Sequence, residues 1–340
     1  MNTPRIAVFG AGLIGQRHVE QARAQASLAA IIDPSDPAKD LAEAMGVPHF
    51  TNPAAFLDAP IKADGVVIAT PNHLHADHAL ACIAAGLPVL IEKPIADTLE
   101  NADRIAKASA ETGVRVLVGH HRRHNPIVKR AKAEIDAGTL GTLIAANGQF
   151  WLYKPDDYFD ATWRKGPGAG PAMINFIHDV DLLRHFCGEI TEVQAMRSNQ
   201  QRGQDVEDSA AILLRFANGA LGTFSMSDTI VAPWSWEMSS GENPIYPHRP
   251  GACYHIGGTR ASLSVPDLKL WSHDGPRSWW TDISAQSLTV EPADAFALQF
   301  THFLEVIAGA PPLVSADEGR ASLGAVLKVL DAALTGKATL

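Results

Sequence analysis

Three glycines near the start of the chain carry the first chemistry. Gly10, Gly12 and Gly15 stand in RIAVFGAGLIG, residues 5–15, spaced Gly-x-Gly-x-x-Gly. Residues 5–9 read as a short strand, and the Ala- and Gln-rich residues 13–27 as the helix after it. At such a turn Gly10 permits the tight bend, Gly12 lets backbone approach a pyrophosphate, and Gly15 lets helix and strand lie close. The diphosphate would sit over the helix N-terminus, where open N–H groups and the helix dipole favour an anion. A second apolar run, 28–32, ends in Asp33, eighteen residues after Gly15. That is close to where an acidic residue meets the adenosine ribose hydroxyls of a dinucleotide. The residues that follow are Pro34, Ser35, Asp36 and Pro37, with no Arg or Lys among them. A 2′-phosphate would meet like charge there, so the expected cofactor is NAD rather than NADP.

The 14 histidines offer a competing chemistry. His73, His75 and His78 form one set, and His120, His121 and His124 another. His75 and His78 share a helical face, a spacing that permits a metal. No carboxylate or cysteine completes a recognisable motif, and Cys82, Cys187 and Cys253 are odd in number and far apart. No metal site is expected, and thiols in a reducing cytoplasm fit best.

The elements that must position these groups alternate through the first third. Strand signals fall at 5–9, 28–32, 64–69, 88–91 and 115–119, with helical stretches at 13–27, 34–46, 73–86 and 98–112. This alternation predicts an α/β domain built on a doubly wound parallel sheet. Ligands of such sheets bind beyond the carboxyl ends of the strands. Here those ends are 10–15 (with Leu13 and Ile14), Asp33, Thr70-Pro71-Asn72, Glu92-Lys93-Pro94 and 119–123.

The character changes after Arg123, so the expected division is a nucleotide-binding domain at 1–123 and a substrate-binding and oligomerisation domain at 124–340. The second part opens with a helix at 125–137 and a strand at 142–151. A Gly/Pro-rich loop follows at 153–171, then a helix to residue 186. Strands then dominate, at 192–198, 209–216, 219–227 and in less regular runs to about 270, with helices near 294–308 and 316–334. Ala217-Asn218-Gly219 is a hairpin signal. These features predict an α+β domain with a large open, mainly antiparallel sheet. An open sheet with an apolar outer face needs covering, which predicts a homodimer or homotetramer. Trp234, Trp236, Trp271, Trp279 and Trp280 lie in this region and are read mainly as sheet-face or interface packing.

The totals limit the classes. A chain of 340 residues exceeds what one core usually supports. A net charge of −9 argues against nucleic acid or an anionic membrane as partner. No apolar run of 18 residues suggests a membrane span, and MNTPRIAVFG leads straight into the first strand with no signal-peptide pattern. The expected location is the cytoplasm. There is no internal repeat and no low-complexity segment.

The motifs together resemble the glucose–fructose oxidoreductase, inositol dehydrogenase and rhizopine-catabolism (Gfo/Idh/MocA) family. The matching pieces are GAGLIG at 10–15, ATPNHLH at 69–75, IEKP at 91–94, VGHHRRHNP at 118–126, WR at 163–164 and INFIHDVDLLR at 174–184. The resemblance implies an N-terminal Rossmann domain, a C-terminal sheet domain and an NAD-dependent dehydrogenase. Its substrate would carry a carbinol on a small sugar, cyclitol or sugar-derived acid. It implies a cis peptide before Pro94. It also places Asn72 and His75 beside the nicotinamide, His121 and Arg122 near cofactor or substrate, and Trp163 and Arg164 at the cofactor.

Hydride transfer from a secondary alcohol needs a proton acceptor and a donor to hold the oxygen. Lys93, at a strand's end and before Pro94, suits the second role, and partial burial beside a nicotinamide cation would lower its pKa. Its bland alternative is pairing with Glu92. His178 suits the first role. Asn175, His178 and Asp181 recur in steps of three near one helix face. Many characterised cyclitol dehydrogenases of the family carry Asp four residues before this His, where this chain has Ile174. The inositol clamp therefore does not carry over.

Trp151, Tyr153, Tyr158, Phe159 and Trp163 cluster around the glycine-rich loop, where part of the cluster could face a sugar ring or simply pack. The expected substrate contacts are Lys93, His121, Tyr153, Trp163, Asn175 and His178. Lys154, Arg164 and Arg249 could hold a substrate carboxylate. Two rivals share the fold: a redox-neutral glycosidase using bound NAD, and a non-catalytic NAD-binding regulator. The second would be expected to lack the Lys93 and His178 pair.

Overall fold

The computed structural model describes residues 3–166 and 168–336, apart from the side chain of Trp163. The chain begins β1 (Arg5–Phe9), α1 (Leu13–Gln25), β2 (Ser27–Ile32), α2 (Asp36–Met45), β3 (His49–Phe50) and α3 (Pro53–Leu57). It continues with β4 (Gly65–Ile68), a 3₁₀ turn Asn72–Leu74, α4 (His75–Ala84), β5 (Val89–Ile91), α5 (Leu99–Thr112) and β6 (Val116–Val118). These strands form one parallel sheet in the order β3-β2-β1-β4-β5-β6. Ile6, Ala7, Val8 and Phe9 are all fully buried, as expected of a strand covered on both faces. Gly46 and Gly113 end α2 and α5 in the left-handed conformation, with φ of 69° and 72°, where a side chain would be strained.

After a 3₁₀ turn at His121–His124 come α6 (Pro126–Asp136), β7 (Leu143–Trp151), 3₁₀ turns at Asp156–Asp160 and Thr162–Lys165, and a π-helical turn, Ala172–Phe176. That turn runs into α7 (Ile177–Cys187). Next are β8 (Ile190–Ser198), β9 (Ser209–Phe216), β10 (Leu221–Ser227), α8 (Trp236–Ser239), β11 (Tyr254–Gly258), β12 (Ala261–Val265), β13 (Lys269–His273) and β14 (Ile283–Ser287). The chain closes with α9 (Ala295–Ile307) and α10 (Ala316–Thr335). The eight strands form a second sheet, β14-β13-β12-β11-β7-β10-β9-β8. Among the described residues it is antiparallel except where β7 runs beside β10. The expected doubly wound and mainly antiparallel sheets are both present; β3, α3 and β14 are additions.

By contact the chain divides into one unit of residues 1–123 with 295–324 and a second of 124–294 with 325–340. The sequence-based division keeps 124–340 in one stretch, whereas by contact residues 295–324 group with the first unit. The physical reason lies in the packing of α9 within the first unit. Its Phe296 ring lies 4.5 Å from the His18 ring of α1 and carries the Arg17 guanidinium at 4.2 Å. Gly65 on β4 faces Ile307 and Phe303 so closely that an added Cβ would fall 2.5 Å from Ile307 Cδ1. Val118 at the end of β6 donates its N–H to Val314.

In the second unit one face of the sheet packs on α7. Phe176 meets Phe224 with ring centroids 4.7 Å apart, and Val180, Leu183, Ile212 and Leu214 join the same core. The opposite face carries Met196, Leu213 and Leu221, which are 78%, 53% and 51% exposed. Of the tryptophans read as sheet-face packing, Trp236 is buried in the core beside Tyr254, and Trp279 and Trp280 stand exposed ahead of β14. No helix among the described residues is long and apolar enough to cross a membrane.

Candidate active site

The glycine loop has the geometry of a dinucleotide cradle. Gly10 has φ of +87°, and a Cβ there would lie 2.5 Å from the Ala69 carbonyl oxygen. A Cβ on Gly15 would lie 2.1 Å from Gly10 O, so helix and loop are in backbone contact. At Gly12 a Cβ would meet nothing within 4 Å, which leaves open space over the α1 N-terminus. No side chain caps that terminus, so its first N–H groups can receive a diphosphate. Leu13 and Ile14 are exposed beside it.

Asp33 Oδ2 accepts the Ala11 N–H at 2.9 Å, and Oδ1 accepts from the Ser35 N–H and hydroxyl at 2.9 and 2.6 Å. Burial works against the ionised carboxylate, but the Ser35 and Ala11 bonds prevail and hold its pKa below the ordinary range. The residues fit NAD: an anion-binding helix end, and a fixed carboxylate at the end of the neighbouring strand.

Farther along the same sheet edge, Thr70, Pro71 and Asn72 follow β4, with Pro71 and Asn72 exposed. His75 is fully buried, with its ring nitrogens 2.9 Å from Pro94 O and 2.8 Å from Thr70 O. It ties the ends of β4 and β5 together, and burial lowers its pKa against the pull of those carbonyls. The Lys93–Pro94 peptide is cis, as the resemblance implies.

Glu92, just before Lys93, is buried and pairs with His18 of α1, Oε1 to Nε2 at 2.8 Å. Its Oε2 accepts the Lys93 N–H at 3.2 Å. His121 is half-buried and Arg122 buried after β6.

In the second unit, Tyr153 is exposed and its hydroxyl donates to Asp156 at 3.3 Å. Lys154 is buried with its ammonium 3.7 Å from Asp228, and burial pushes its pKa down against that carboxylate. Arg164 donates to Tyr158 O at 2.6 Å and stacks over the Tyr158 ring at 4.2 Å, holding the loop together. Lys154 and Arg164 thus serve the protein's own carboxylate, carbonyl and ring, and Arg249 bonds the carbonyl of His248 at 2.9 Å. The Trp163 side chain lies outside the described residues.

Asn175 sits in the π turn that leads into α7, and His178 in the first turn of α7 itself. Such turns are frequent at functional sites. The Asn175 side-chain amide oxygen, Oδ1, is buried without a hydrogen-bond partner among the described residues. His178 is buried, and Ile174 partly so. Next to His178, Asp179 accepts a hydrogen bond from the Tyr254 hydroxyl of β11, which anchors α7 to the sheet. Among the described residues no group of three or more His, Cys, Asp or Glu is arranged to hold a metal ion. Sequence reasoning missed His18 and Glu207, the second of which accepts the Ala172 N–H at the start of the π turn. Neither carries a motif that announces it.

Comparison with known proteins agrees with this geometry. Residues 4–120 match the description "Oxidoreductase family, NAD-binding Rossmann fold" of GFO/IDH/MocA, and residues 128–264 match the GFO/IDH/MocA C-terminal domain. The chain belongs to the GFO/IDH/MocA oxidoreductase family, and its cofactor is NAD.

The rhizopine catabolism protein MocA of Rhizobium meliloti is 30% identical over 229 residues, 65% of this chain and 70% of that one. An inositol 2-dehydrogenase of Streptomyces avermitilis is 33% identical over 231 residues, covering 64% and 63%. Among solved structures, the WlbA dehydrogenase of Bordetella pertussis, crystallised with NADH and UDP-GlcNAcA, superposes with a TM-score of 0.79. It shows 25% identity over 99% of this chain and 98% of that one.

Proposed function

We propose that the protein transfers a hydride between NAD and a carbinol carbon of a small polyol, sugar or sugar-derived acid. NAD, when bound, supplies the hydride acceptor; the side chains supply the rest. Lys93 donates a hydrogen bond to the carbinol oxygen and favours the charge that gathers there. His178 takes the hydroxyl proton as the C–H bond breaks and returns it in the reverse direction. Asn175, His121 and Tyr153 orient the hydroxyls of the substrate. Asp33 receives the adenosine ribose, and the α1 N-terminus receives the diphosphate.

The observation that carries the reading is the backbone at Lys93. It lies at the carboxyl end of β5, on the sheet edge that bears the glycine loop. It is pinned on one side by Glu92 and on the other by the contact of His75 with Pro94 O. The sugar and cyclitol names of the relatives support the substrate class.

We assign the open face of the second sheet to contact with another copy of the chain, since its exposed Met196, Leu213 and Leu221 need cover. Buried, unbridged Cys82, Cys187 and Cys253 support a reducing cytoplasm.

The test is NADH formation across cyclitols, aldoses and aldonates with the full-length protein. Sustained NADH formation on one of them is the expected result. Glycoside cleavage with no net NADH would overturn it in favour of the redox-neutral rival.

A further inference from the structure

We propose that His18 is a positioning residue for Lys93: through Nε2 it holds the Glu92 carboxylate, which stays bonded to the Lys93 backbone instead of closing on the Lys93 ammonium. The inference rests on the role proposed above for Lys93.

His18 lies one turn beyond Gly15 on α1 and is fully buried. Its Nε2 lies 2.8 Å from Glu92 Oε1, while its Nδ1 has no hydrogen-bond partner among the described residues. A carboxylate oxygen needs a donor, so the tautomer that fits carries its proton on Nε2. Oε2 of the same carboxylate accepts the Lys93 N–H at 3.2 Å. A third wall is Gly119, after β6. A Cβ there would fall 3.0 Å from Glu92 Cα and 3.1 Å from Oε2. The carboxylate is thus held by a donor on α1, by the backbone of the residue it serves, and by the bare backbone of the next strand end.

The groups facing Glu92 are His18 from α1, His75 from α4, His121 after β6, and its neighbour Lys93. Burial alone would favour protonated Glu92. His18, first through its hydrogen bond, leads the effects that keep it charged, followed by the charges of His121 and Lys93. Without His18, that buried charge turns for compensation to the ammonium one residue away. The turn captures the hydrogen bonds that Lys93 owes the substrate oxygen and makes its amine harder to deprotonate.

The test reads Lys93 directly. Full-length protein without added NAD is pulse-labelled with acetic anhydride at a series of pH values, and acetylation of the Lys93 peptide is followed by mass spectrometry. His18→Phe fills the space but offers no donor. It should lower the acetylation rate of Lys93 about tenfold at a fixed pH, the effect of a rise of about one pH unit in the amine's titration. Adding Glu92→Gln in the same chain should abolish that loss, and His18→Gln, which restores an N–H donor, should return the rate to the wild-type value.

With NAD and myo-inositol as the alcohol probe, His18→Phe should lose about 10- to 100-fold in kcat, the cost of slight misplacement, with NADH affinity unchanged. Gly119→Ala, which presses on the carboxylate without touching His18, should lower Lys93 reactivity in the same direction and covers the case in which His18→Phe does not fold. Unchanged Lys93 reactivity in both His18→Phe and Gly119→Ala would overturn the inference, as would faster acetylation in His18→Phe, the sign that Glu92 takes a proton instead, or a loss in His18→Phe that Glu92→Gln does not relieve. A Lys93→Ala enzyme that keeps its kcat would overturn the role of Lys93 itself. An inactive Lys93→Ala beside a fully active His18→Phe would leave that role standing and remove only the part given to His18.

Discussion

Glu207 accepts the backbone N–H of Ala172 at 3.0 Å, so a buried carboxylate closes the first turn of the helical segment that carries Asn175 and His178. Gly170 makes room for it, since a Cβ there would lie 2.3 Å from Glu207 Oε1. Loss of a helix cap of this kind costs about 1 kcal/mol. Glu207→Ala should therefore lower the melting temperature and kcat together, whereas Glu207→Gln, which keeps an acceptor, should cost less of both. Gly170→Ala should behave like Glu207→Ala. Thermal unfolding and steady-state rates of the three variants check this.

Lys93 and His178 carry separate predictions. Removing a general base costs on the order of 10² to 10⁴ in rate, so His178→Ala should lose that much in kcat while NAD affinity stays nearly constant. Lys93→Ala should lose at least as much. A protonated imidazole cannot accept the hydroxyl proton, so wild-type oxidation should quicken as pH rises through the histidine range. His178→Ala should lose that rise. Near wild-type kcat in His178→Ala would transfer the proton step to Lys93 alone.

Asp33 should keep the enzyme on NAD. Its carboxylate is already tied to the glycine loop through Ala11 and to Ser35, so it cannot swing aside for a 2′-phosphate. Asp33→Ser combined with Pro34→Arg should move preference toward NADP and weaken NAD binding, measured as kcat/KM for each cofactor. Equal wild-type turnover of both at low concentration contradicts this reading of the β2 end.

Glu92 gives the stability a defined dependence on pH. Its folded-state pKa is depressed, the bond from His18 and the nearby charges of His121 and Lys93 outweighing burial. The stability it contributes is therefore fully present above its ordinary value, about 4.3, and is lost as pH falls through the lower folded value. Melting temperatures of the wild type and Glu92→Gln should differ most near neutrality and converge as the solution is taken below that ordinary value. A gap that stays constant in acid contradicts it.

The exposed sheet face predicts an assembly. Light scattering should give twice or four times the chain mass of 36.3 kDa, and charged residues at Met196 and Leu213 should dissociate it. A mass of one chain at micromolar concentration rules the assembly out.

Much of this was legible in the chain because buried parallel strands are short apolar runs with fixed punctuation. β1, β4 and β5 are nearly all apolar, and Gly10, Gly46 and Gly113 sit where the backbone needs them. β14 escaped because all five of its residues are exposed and their pattern is weak. His18 escaped because its partner lies 74 residues away; on an Ala- and Gln-rich helix, nothing marks a lone histidine as half of a buried pair. His75 stands in a motif at a strand end, but nothing in that motif shows that its ring meets two backbone carbonyls. The domain limits were read as a linear division, whereas an apolar helix face such as that of α9 does not say which sheet it will cover.

The return of residues 295–324 to the first unit has a consequence for synthesis. The ribosome releases the six-stranded sheet first. The surface around Gly65 that Phe303 and Ile307 cover, and the side of His18 that meets Phe296, then remain bare while the next 171 residues are made. The nucleotide-binding unit emerges before the eight-stranded sheet and is finished after it, so a nascent chain arrested before α9 should remain a client of chaperones.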